Sequence, residues 1–368
     1  MARAWAFAKR LRLPERRYLI LAHDHFVEDA KTAHGVIRYA ADPTVAVVDA
    51  SCAGSTVRQV LPSLHSDAPI VGSLNEGLPY RPSALLIGTA PQGGKLPPHW
   101  RNEILVALNA GIDVVNGLHD MLRDDPELAA EAHKSGATIW DVREPPSVPL
   151  FSGRVYDVAA PVLLAVGNDC AVGKMSVMLE LSRAAARQGS VAEFVPTGQT
   201  GIMIAGWGIA VDRVIADFAT GAAEQLVLEA ARRQPACILV EGQGGINNPA
   251  YAPVTLALLF GSAPDALILV ADIGKTHVEG FQTPILDLPA LIEVHEMLCG
   301  TVKPAKVIAV ALNTRSLDDA QARQAVRDVR EETGLPADDV VRFGAGALWS
   351  ALQPSLVKRA PLDAGARA

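Results

Sequence analysis

A glycine-rich loop that ends in lysine is the part of the sequence with the clearest chemistry. Residues 161–176 read PVLLAVGNDCAVGKMS, which is an apolar strand, a turn with two glycines, a lysine and the start of a helix. Backbone N–H groups at such a junction converge on phosphate oxygens, and the lysine ammonium adds positive charge. The loop predicts a phosphate-binding site, formed by Gly167, Asn168, Asp169, Cys170, Ala171, Val172, Gly173, Lys174, Met175 and Ser176.

The loop differs from the common P-loop pattern in two places. Five residues separate Gly167 from Gly173 instead of four, and Met175 follows Lys174 where a magnesium-binding Ser or Thr is usual. Ser176, one position later, is the candidate for that hydroxyl. If the loop binds ATP with Mg²⁺, Ser176 and Glu241 are the predicted metal ligands.

Two further loops follow apolar strands in the second half. Glu241 ends the apolar run Cys237–Val240 and precedes several glycines, a usual place for a metal-binding acid or a general base. Residues 197–201, TGQTG, carry hydroxyl and amide groups at a strand end, where open α/β sheets bind ligands. We predict substrate contacts from Thr197, Gly198, Gln199, Thr200, Gly242, Gln243 and Gly244.

Two polar residues follow the last long strands. His277 lies in the loop after Ala266–Val270 and is a candidate general base, because histidine titrates near neutral pH. The alternative for His277 is a surface histidine that only forms hydrogen bonds. Asn313 ends the strand that begins at Lys306, where related P-loop enzymes place an amide against a purine edge. Asn313 is therefore predicted to contact the bound nucleotide.

The composition argues against several classes of protein. The 368 residues are 49% hydrophobic and 20% charged, with a net charge of −7 and no basic block, unlike disordered or nucleic-acid-binding chains. No apolar run reaches the ~18 residues that span a bilayer, and the first residues lack the apolar stretch of an export signal. The four cysteines form no Cys-x-x-Cys pair, which is typical of reduced thiols. We expect a cytoplasmic protein with a small-molecule amino-acid or carboxylate substrate, without nucleic-acid or membrane partners, and the apolar fraction suggests a homo-oligomer.

Short apolar runs alternate with helical stretches along the chain, which predicts parallel sheets covered by helices. The first half predicts a five-stranded Rossmann-like α/β domain over residues 1–150, and the proline-rich segment 144–149 marks its end. The second half predicts a P-loop NTPase-like α/β domain over residues 151–368. The predicted strands are Tyr18–Ala22, Val45–Asp49, Ala84–Ile87, Asp113–Val115, Thr138–Asp141, Pro161–Val166, Val191–Phe194, Cys237–Val240, Ala266–Val270 and Lys306–Leu312.

These motifs together resemble a bacterial family. The runs GNDCAVGKMS at 167–176, TGQTG at 197–201, VEGQG at 240–244 and NGLH at 116–119 look like the D-glutamate N-acetyltransferase (DgcN-like) family, formerly grouped as a domain of unknown function. The second half also resembles dethiobiotin synthetase, whose GTDxGVGKT loop and EGAGG segment align with Gly167–Met175 and Glu241–Gly245. Asn168 and Met175 stand where the synthetase has threonine, which argues against ordinary Mg-ATP chemistry.

The family resemblance implies transfer of the acetyl group of acetyl-CoA to the amino group of D-glutamate, a step in D-amino-acid catabolism, with the coenzyme diphosphate on the P-loop. It leaves the base open between His277 and Glu241, and the oxyanion donors open among Thr197, Gln199 and Thr200. Two alternatives remain. The synthetase-like loops suggest an ATP-dependent ligase or kinase acting on a small carboxylate, and Met175 suggests a nucleotide-binding regulator without catalysis.

Overall fold

The computed structural model describes residues 16–89 and 93–356. Contacts divide the chain into two compact units. The first comprises the chain up to Glu144 together with Gln199–Arg213, and the second comprises Pro145–Gly198 together with the chain from Val214 onward. The predicted second domain, 151–368, thus includes a segment that the structure groups with the first unit. The exact division at residue 150 stays a prediction.

A parallel sheet forms the centre of the first unit. Its strands are β1 (Tyr18–Leu21), β2 (Thr44–Val48), β3 (Ile70–Val71), β4 (Ala84–Ile87), β5 (Asp113–Asn116) and β6 (Ile139–Asp141), in the order β3-β2-β1-β4-β5-β6. Alternate residues of β1 pack on opposite faces, Tyr18 in one apolar cluster and Leu19 in the other. Because both faces are covered, the strands are apolar at successive positions. The sequence missed only β3 among these strands, since two residues show no pattern.

Helices cover both faces of this sheet in the first half of the chain. They are α1 (Lys31–Tyr39), α2 (Val57–Val60), α3 (Leu74–Gly77), α4 (Arg101–Asn109) and α5 (Pro126–Ser135). Helix α5 shows how local sequence sets the ends: the Asp125 side chain accepts hydrogen bonds from the N–H groups of Glu127 and Leu128, and Pro126 opens the helix. Gly136, with a φ of +78°, ends it.

The second unit contains another parallel sheet. Its strands are β7 (Val162–Gly167), β8 (Ala192–Val195), β9 (Cys237–Val240), β10 (Ala266–Asp272), β11 (Lys306–Asn313) and β12 (Ala337–Asp338), in the order β12-β11-β10-β7-β9-β8. The chain starts in the middle of the sheet at β7, continues to the edge strand β8, returns with β9 between β8 and β7, and then adds β10, β11 and β12 on the other side. Such a reversal of strand order leaves a crevice at the carboxyl ends of the strands, where α/β sheets bind ligands. The predicted α/β fold class is confirmed.

One helix of the second half of the chain belongs to the first unit. The helices here are α6 (Lys174–Arg187), α7 (Gln199–Ala205), α8 (Ala216–Ala231), α9 (Ala252–Gly261), α10 (Leu288–Gly300), α11 (Asp319–Thr333) and α12 (Gly346–Leu352). Ile202 and Met203 of α7 lie in the same apolar cluster as Tyr18. In the described part of the chain, no helix has both the length and the apolar character needed to cross a bilayer.

The chain just after the proline-rich segment is held within the second unit by a buried acid. Glu224 of α8 is fully buried and accepts hydrogen bonds from the backbone N–H groups of Ser152, at 2.7 Å, and Val155, at 3.2 Å. The Ser152 hydroxyl donates a third bond to the same carboxylate. Buried charge is stable only when it is hydrogen-bonded in this way. Glu224 therefore fixes the stretch between the proline-rich segment and β7, and the second unit itself begins at Pro145.

Candidate phosphate-binding site

The predicted phosphate loop connects β7 to α6 in the second unit. Ala171 and Gly173 have φ angles of +58° and +111°, so the loop turns through two left-handed positions before the helix begins at Lys174. A Cβ at Gly167 would lie 3.1 Å from the carbonyl oxygen of Val270, so glycine permits close packing against β10. The strand, turn and helix follow one another as the sequence predicted.

Lys174 is buried at the start of α6. Its ammonium donates hydrogen bonds to the carbonyl oxygens of Asp169, at 2.7 Å, and Gly244, at 2.6 Å. An ammonium has three N–H donors, and among the described residues these two carbonyl oxygens are the acceptors of Lys174. Burial lowers the pKa of Lys174 to about 8, against the opposing effect of nearby negative groups that include Asp169 and Glu241. Lys174 is therefore a cation at neutral pH.

Asp169 is the centre of a hydrogen-bond network behind the loop. Its side chain is fully buried, and one oxygen accepts bonds from Lys275 Nζ, at 2.8 Å, and from the backbone N–H of Glu279, at 2.7 Å. The other oxygen accepts a bond from Asn248 Nδ2, at 2.9 Å. Burial alone would raise the pKa of Asp169, but these bonds lower it to about 2. Asp169 is thus a permanent anion that connects the phosphate loop to two other loops.

Lys275 and Glu279 complete this network from the loop after β10. Lys275 Nζ also donates to the Glu279 carboxylate, at 2.7 Å, and to the Cys170 carbonyl oxygen, at 3.2 Å. Asp169, Cys170 and Glu279 bring oxygen and sulfur atoms within 4.8 Å of one another, a spacing compatible with a metal. Burial, and then the charge of Asp169, raises the pKa of the Cys170 thiol to about 11, so the thiol stays protonated at neutral pH.

Glu241 holds the loop that follows β8. One of its carboxylate oxygens accepts hydrogen bonds from the backbone N–H groups of Thr197, at 2.8 Å, and Gly198, at 3.1 Å. The Thr197 hydroxyl in turn donates to the backbone carbonyl of Glu241, at 2.9 Å. Glu241 and Thr197, predicted separately from two motifs, are therefore in direct contact. The donors of Thr197 that could face a substrate are used inside the protein.

The glycine-rich run after Glu241 packs tightly against strand β7 and against the rest of its own loop. A Cβ on Gly242 would lie 1.7 Å from the carbonyl oxygen of Ala165, and one on Gly244 would lie 2.3 Å from that of Tyr251. Gln243 donates hydrogen bonds to the carbonyl and hydroxyl oxygens of Thr197. These contacts show a packing function for Gly242, Gly244 and Gln243, and their predicted substrate contacts stay predictions.

The two predicted asparagines bind the ends of neighbouring strands. Both polar atoms of the Asn168 side chain bond the backbone of Asp272, at 3.1 and 3.2 Å. Asn313 donates to the carbonyl oxygen of Val172, at 3.2 Å, and to the carboxylate of Asp272, at 3.3 Å. Asn313 therefore contacts the phosphate loop itself, and its predicted contact with a nucleotide base stays a prediction.

The remaining predicted residues lie in three different places. His277 is exposed in the loop after β10, with Nδ1 3.0 Å from the Thr276 hydroxyl. Met175 and Ser176 are half-buried on the first turn of α6. Gln199 and Thr200 open α7 in the first unit, where the Thr200 hydroxyl lies 3.0 Å from that of Thr32.

Comparison with known families places this architecture. The description "Domain of unknown function (DUF1611_C) P-loop domain" matches residues 149–349, more than half of the chain. The chain belongs to the DUF1611 family. The description "Domain of unknown function (DUF1611_N) Rossmann-like domain" matches residues 50–145 of this DUF1611 protein. Both halves of the family's architecture are therefore present.

Three relatives are similar to this DUF1611 protein over most of its length. "D-glutamate N-acetyltransferase" from Tritonibacter scottomollicae is 38% identical over 285 residues, covering 76% of this chain and 84% of the relative. A protein of the same name from Pseudoalteromonas sp is 34% identical over 278 residues, covering 75% and 83%. The crystal structure of a DUF1611 family protein from Anabaena variabilis is 40% identical, with a TM-score of 0.88 over 92% of this chain and 99% of that one. The predicted family is confirmed.

Sequence reasoning did not assign two charged residues at the phosphate loop of this DUF1611 protein. Lys275 and Glu279 lie more than 100 positions after Asp169 in the chain. Their hydrogen bonds to the Asp169 carboxylate appear only in the structure. The available signal was the place of Lys275, three residues after the end of β10. A cation just beyond the strand adjacent to a phosphate-binding strand is positioned to reach the same edge of the sheet.

The NGLH motif of the first unit has a structural function in this DUF1611 protein. The Asn116 side chain donates to the Asp141 carboxylate, at 2.7 Å, and to the carbonyl oxygen of Asp120, at 2.7 Å. Its own oxygen accepts the backbone N–H of Leu118, at 3.0 Å. Both ends of the amide are thus occupied, and the motif fixes the loop after β5.

Proposed function

We propose that this protein is an N-acetyltransferase that transfers the acetyl group of acetyl-CoA to the amino group of D-glutamate. The supporting observation is the name shared by the two relatives, "D-glutamate N-acetyltransferase", at 38% and 34% identity over about three quarters of the chain. In this proposal the amine nitrogen attacks the thioester carbon, the C–S bond breaks, and the coenzyme leaves as its thiol after taking up a proton.

The phosphate loop supports the coenzyme part of this proposal. Coenzyme A contains an ADP moiety, whose diphosphate fits the backbone N–H groups of a P-loop as a nucleotide would. Lys174 supplies the cation. Among the described residues its ammonium has two acceptors, so its third N–H is free to bind the ligand. A charge-assisted hydrogen bond of this kind contributes about 1.5–3 kcal/mol. The affinity for coenzyme A should therefore depend strongly on Lys174.

The two candidate bases, Glu241 and His277, differ in the exposure of their side chains and in the contacts that these side chains already make. Glu241 binds two backbone N–H groups of the neighbouring loop, which is the arrangement of a positioning residue. The His277 ring is exposed in the loop that Glu279 ties to Asp169. We therefore propose His277 as the general base, since a base must reach the substrate directly.

Product analysis tests this function directly. The protein is incubated with D-glutamate and either acetyl-CoA or Mg-ATP, and free thiol, ADP and phosphate are measured. Thiol release that requires D-glutamate, with L-glutamate as the matched control, supports acetyl transfer. Release of ADP or phosphate would favour an ATP-dependent ligase or kinase instead. Nucleotide binding without any product would favour a regulator.

Two variants test the assigned roles. The substitution His277→Gln should lower kcat with little change in the KM for acetyl-CoA, because the exposed ring does not contact the phosphate loop. The substitution Lys174→Ala should mainly raise the KM for acetyl-CoA. Full activity of His277→Gln would exclude His277 as the base.

A further inference from the structure

We propose that Lys275 supplies beside this P-loop the positive charge that a divalent cation would otherwise supply, so that the site binds a coenzyme diphosphate without metal. The inference rests on the proposed function, because it concerns the form in which the phosphates of acetyl-CoA are bound. It extends that function by assigning Lys275 as the residue that disfavours the binding of Mg-nucleotides, the usual ligands of P-loops.

The loop lacks the magnesium-binding hydroxyl that usually follows the lysine of a P-loop. P-loops coordinate Mg²⁺ with a hydroxyl directly after the lysine, and this chain has the thioether of Met175 there. Glu241, the acid at the strand end, binds two backbone N–H groups with one of its oxygens. Mg²⁺ prefers oxygen ligands in octahedral geometry, which a thioether does not provide.

Lys275 already lies where a cation would be needed. Its ammonium has three N–H donors, and three oxygens accept them: the carboxylates of Asp169 and Glu279 and the carbonyl of Cys170, at 2.8, 2.7 and 3.2 Å. The two carboxylates and the Cys170 sulfur lie within 4.8 Å of one another, so the ammonium occupies the one cluster of metal-type ligands in the described part of the chain. Burial acts to lower the pKa of Lys275, but the hydrogen bonds and charges of these two acids together raise it above the ordinary lysine value.

The charge of Lys275 also affects the binding of an anionic ligand at the phosphate loop. Without this charge, the carboxylates of Asp169 and Glu279 would lack a neutralising cation and would repel an anionic ligand at the phosphate loop. With its charge present, the loop can take up an anion without a metal. Lys174, at the start of α6, is the cation left to contact the phosphate.

Removal of Lys275 should convert this position into a metal site. In Lys275→Met the carboxylates of Asp169 and Glu279 lose their cation, and we expect the variant to bind Mn²⁺, detected by loss of the electron paramagnetic resonance signal of free Mn²⁺. The double variant Lys275→Met/Glu279→Gln should lose that binding again. Lys303→Met is the matched control, because Lys303 is a partly buried lysine of the same unit that binds the Ala263 carbonyl and the Asp265 carboxylate.

Coenzyme binding provides the second measurement, by calorimetric titration of coenzyme A with EDTA or with Mg²⁺. The wild-type protein and Lys303→Met should bind equally well in both buffers. Lys275→Met should bind roughly tenfold or more weakly in EDTA, and Mg²⁺ should restore part of the loss. Tighter wild-type binding in Mg²⁺, or no Mn²⁺ binding by a folded Lys275→Met, would overturn the inference. Absence of coenzyme binding in every buffer would refute the proposed function, and the Mn²⁺ measurement would still decide the role of Lys275.

Discussion

The substitution Glu241→Gln tests whether this acid stabilises the loop after β8. In the wild-type protein one carboxylate oxygen accepts two buried N–H groups, from Thr197 and Gly198. Such bonds contribute about 1.5–3 kcal/mol each to a charged acceptor and about 0.5–1.5 kcal/mol to a neutral one. The amide oxygen of glutamine keeps the geometry but loses the charge. The free energy of unfolding of the second unit should therefore fall by about 2 kcal/mol.

Thermal unfolding followed by circular dichroism measures this effect. For a unit of this size, a loss of about 2 kcal/mol lowers Tm by about 4–8 °C. Glu331→Gln, on the exposed side of α11, is the matched control and should change stability by less than about 0.5 kcal/mol. Magnesium should restore neither stability nor activity to Glu241→Gln. A Tm within about 1 °C of the wild type, or clear rescue by magnesium, would refute the structural role of Glu241.

Three further predictions follow from the packing and charge of the second unit. Burial lowers the pKa of Lys174 to about 8, so the affinity for coenzyme A should fall as pH rises through 8. The unliganded protein should gain stability between pH 8 and the ordinary lysine pKa of 10.5, because in that range only the unfolded chain keeps the proton. Calorimetric titrations and urea midpoints across this range measure the two effects, and an unchanged affinity would contradict the first. Gly242→Ala, whose Cβ would lie 1.7 Å from a backbone oxygen, should destabilise the protein by at least about 1–3 kcal/mol in urea unfolding, whereas Gly300→Ala, with nothing within 4 Å of its Cβ, should cost nothing. Glu224→Gln should lower the urea midpoint, since three hydrogen bonds lose a charged acceptor, and an unchanged midpoint would show that the segment before β7 is held by other contacts.

The sheets could be predicted from sequence because their signal is local. The predicted strands Ala84–Ile87 and Cys237–Val240 agree with β4 and β9 at both ends, since buried parallel strands are short continuous apolar runs. The two strands that sequence reasoning missed, β3 and β12, have two residues each, too few for any periodicity. The phosphate loop was also evident, because its glycines and lysine form one continuous segment.

The charge network of the site could not be predicted in the same way. Asp169 lies in the phosphate loop, and its partner Lys275 is 106 positions later in the chain. The local sequence places Lys275 just after a strand, but only the adjacent positions of β7 and β10 in the sheet bring it to Asp169. The motif TGQTG is likewise one continuous loop in the sequence prediction, which cannot show a boundary between units. In the structure Thr197 and Gly198 belong to the second unit, and Gln199 begins α7 in the first.

The placement of α7 limits which fragments of this protein can fold after proteolysis and which segments of its gene can be exchanged between relatives. The backbone passes between the two units three times, after Glu144, Gly198 and Arg213, so one cut yields no self-sufficient half. A fragment beginning at Pro145 would still carry Ile202 and Met203, whose apolar partners lie in the part removed. Exchange of the P-loop half between relatives must therefore preserve the apolar surface that receives α7. The two halves of the gene are expected to be inherited together rather than as interchangeable modules.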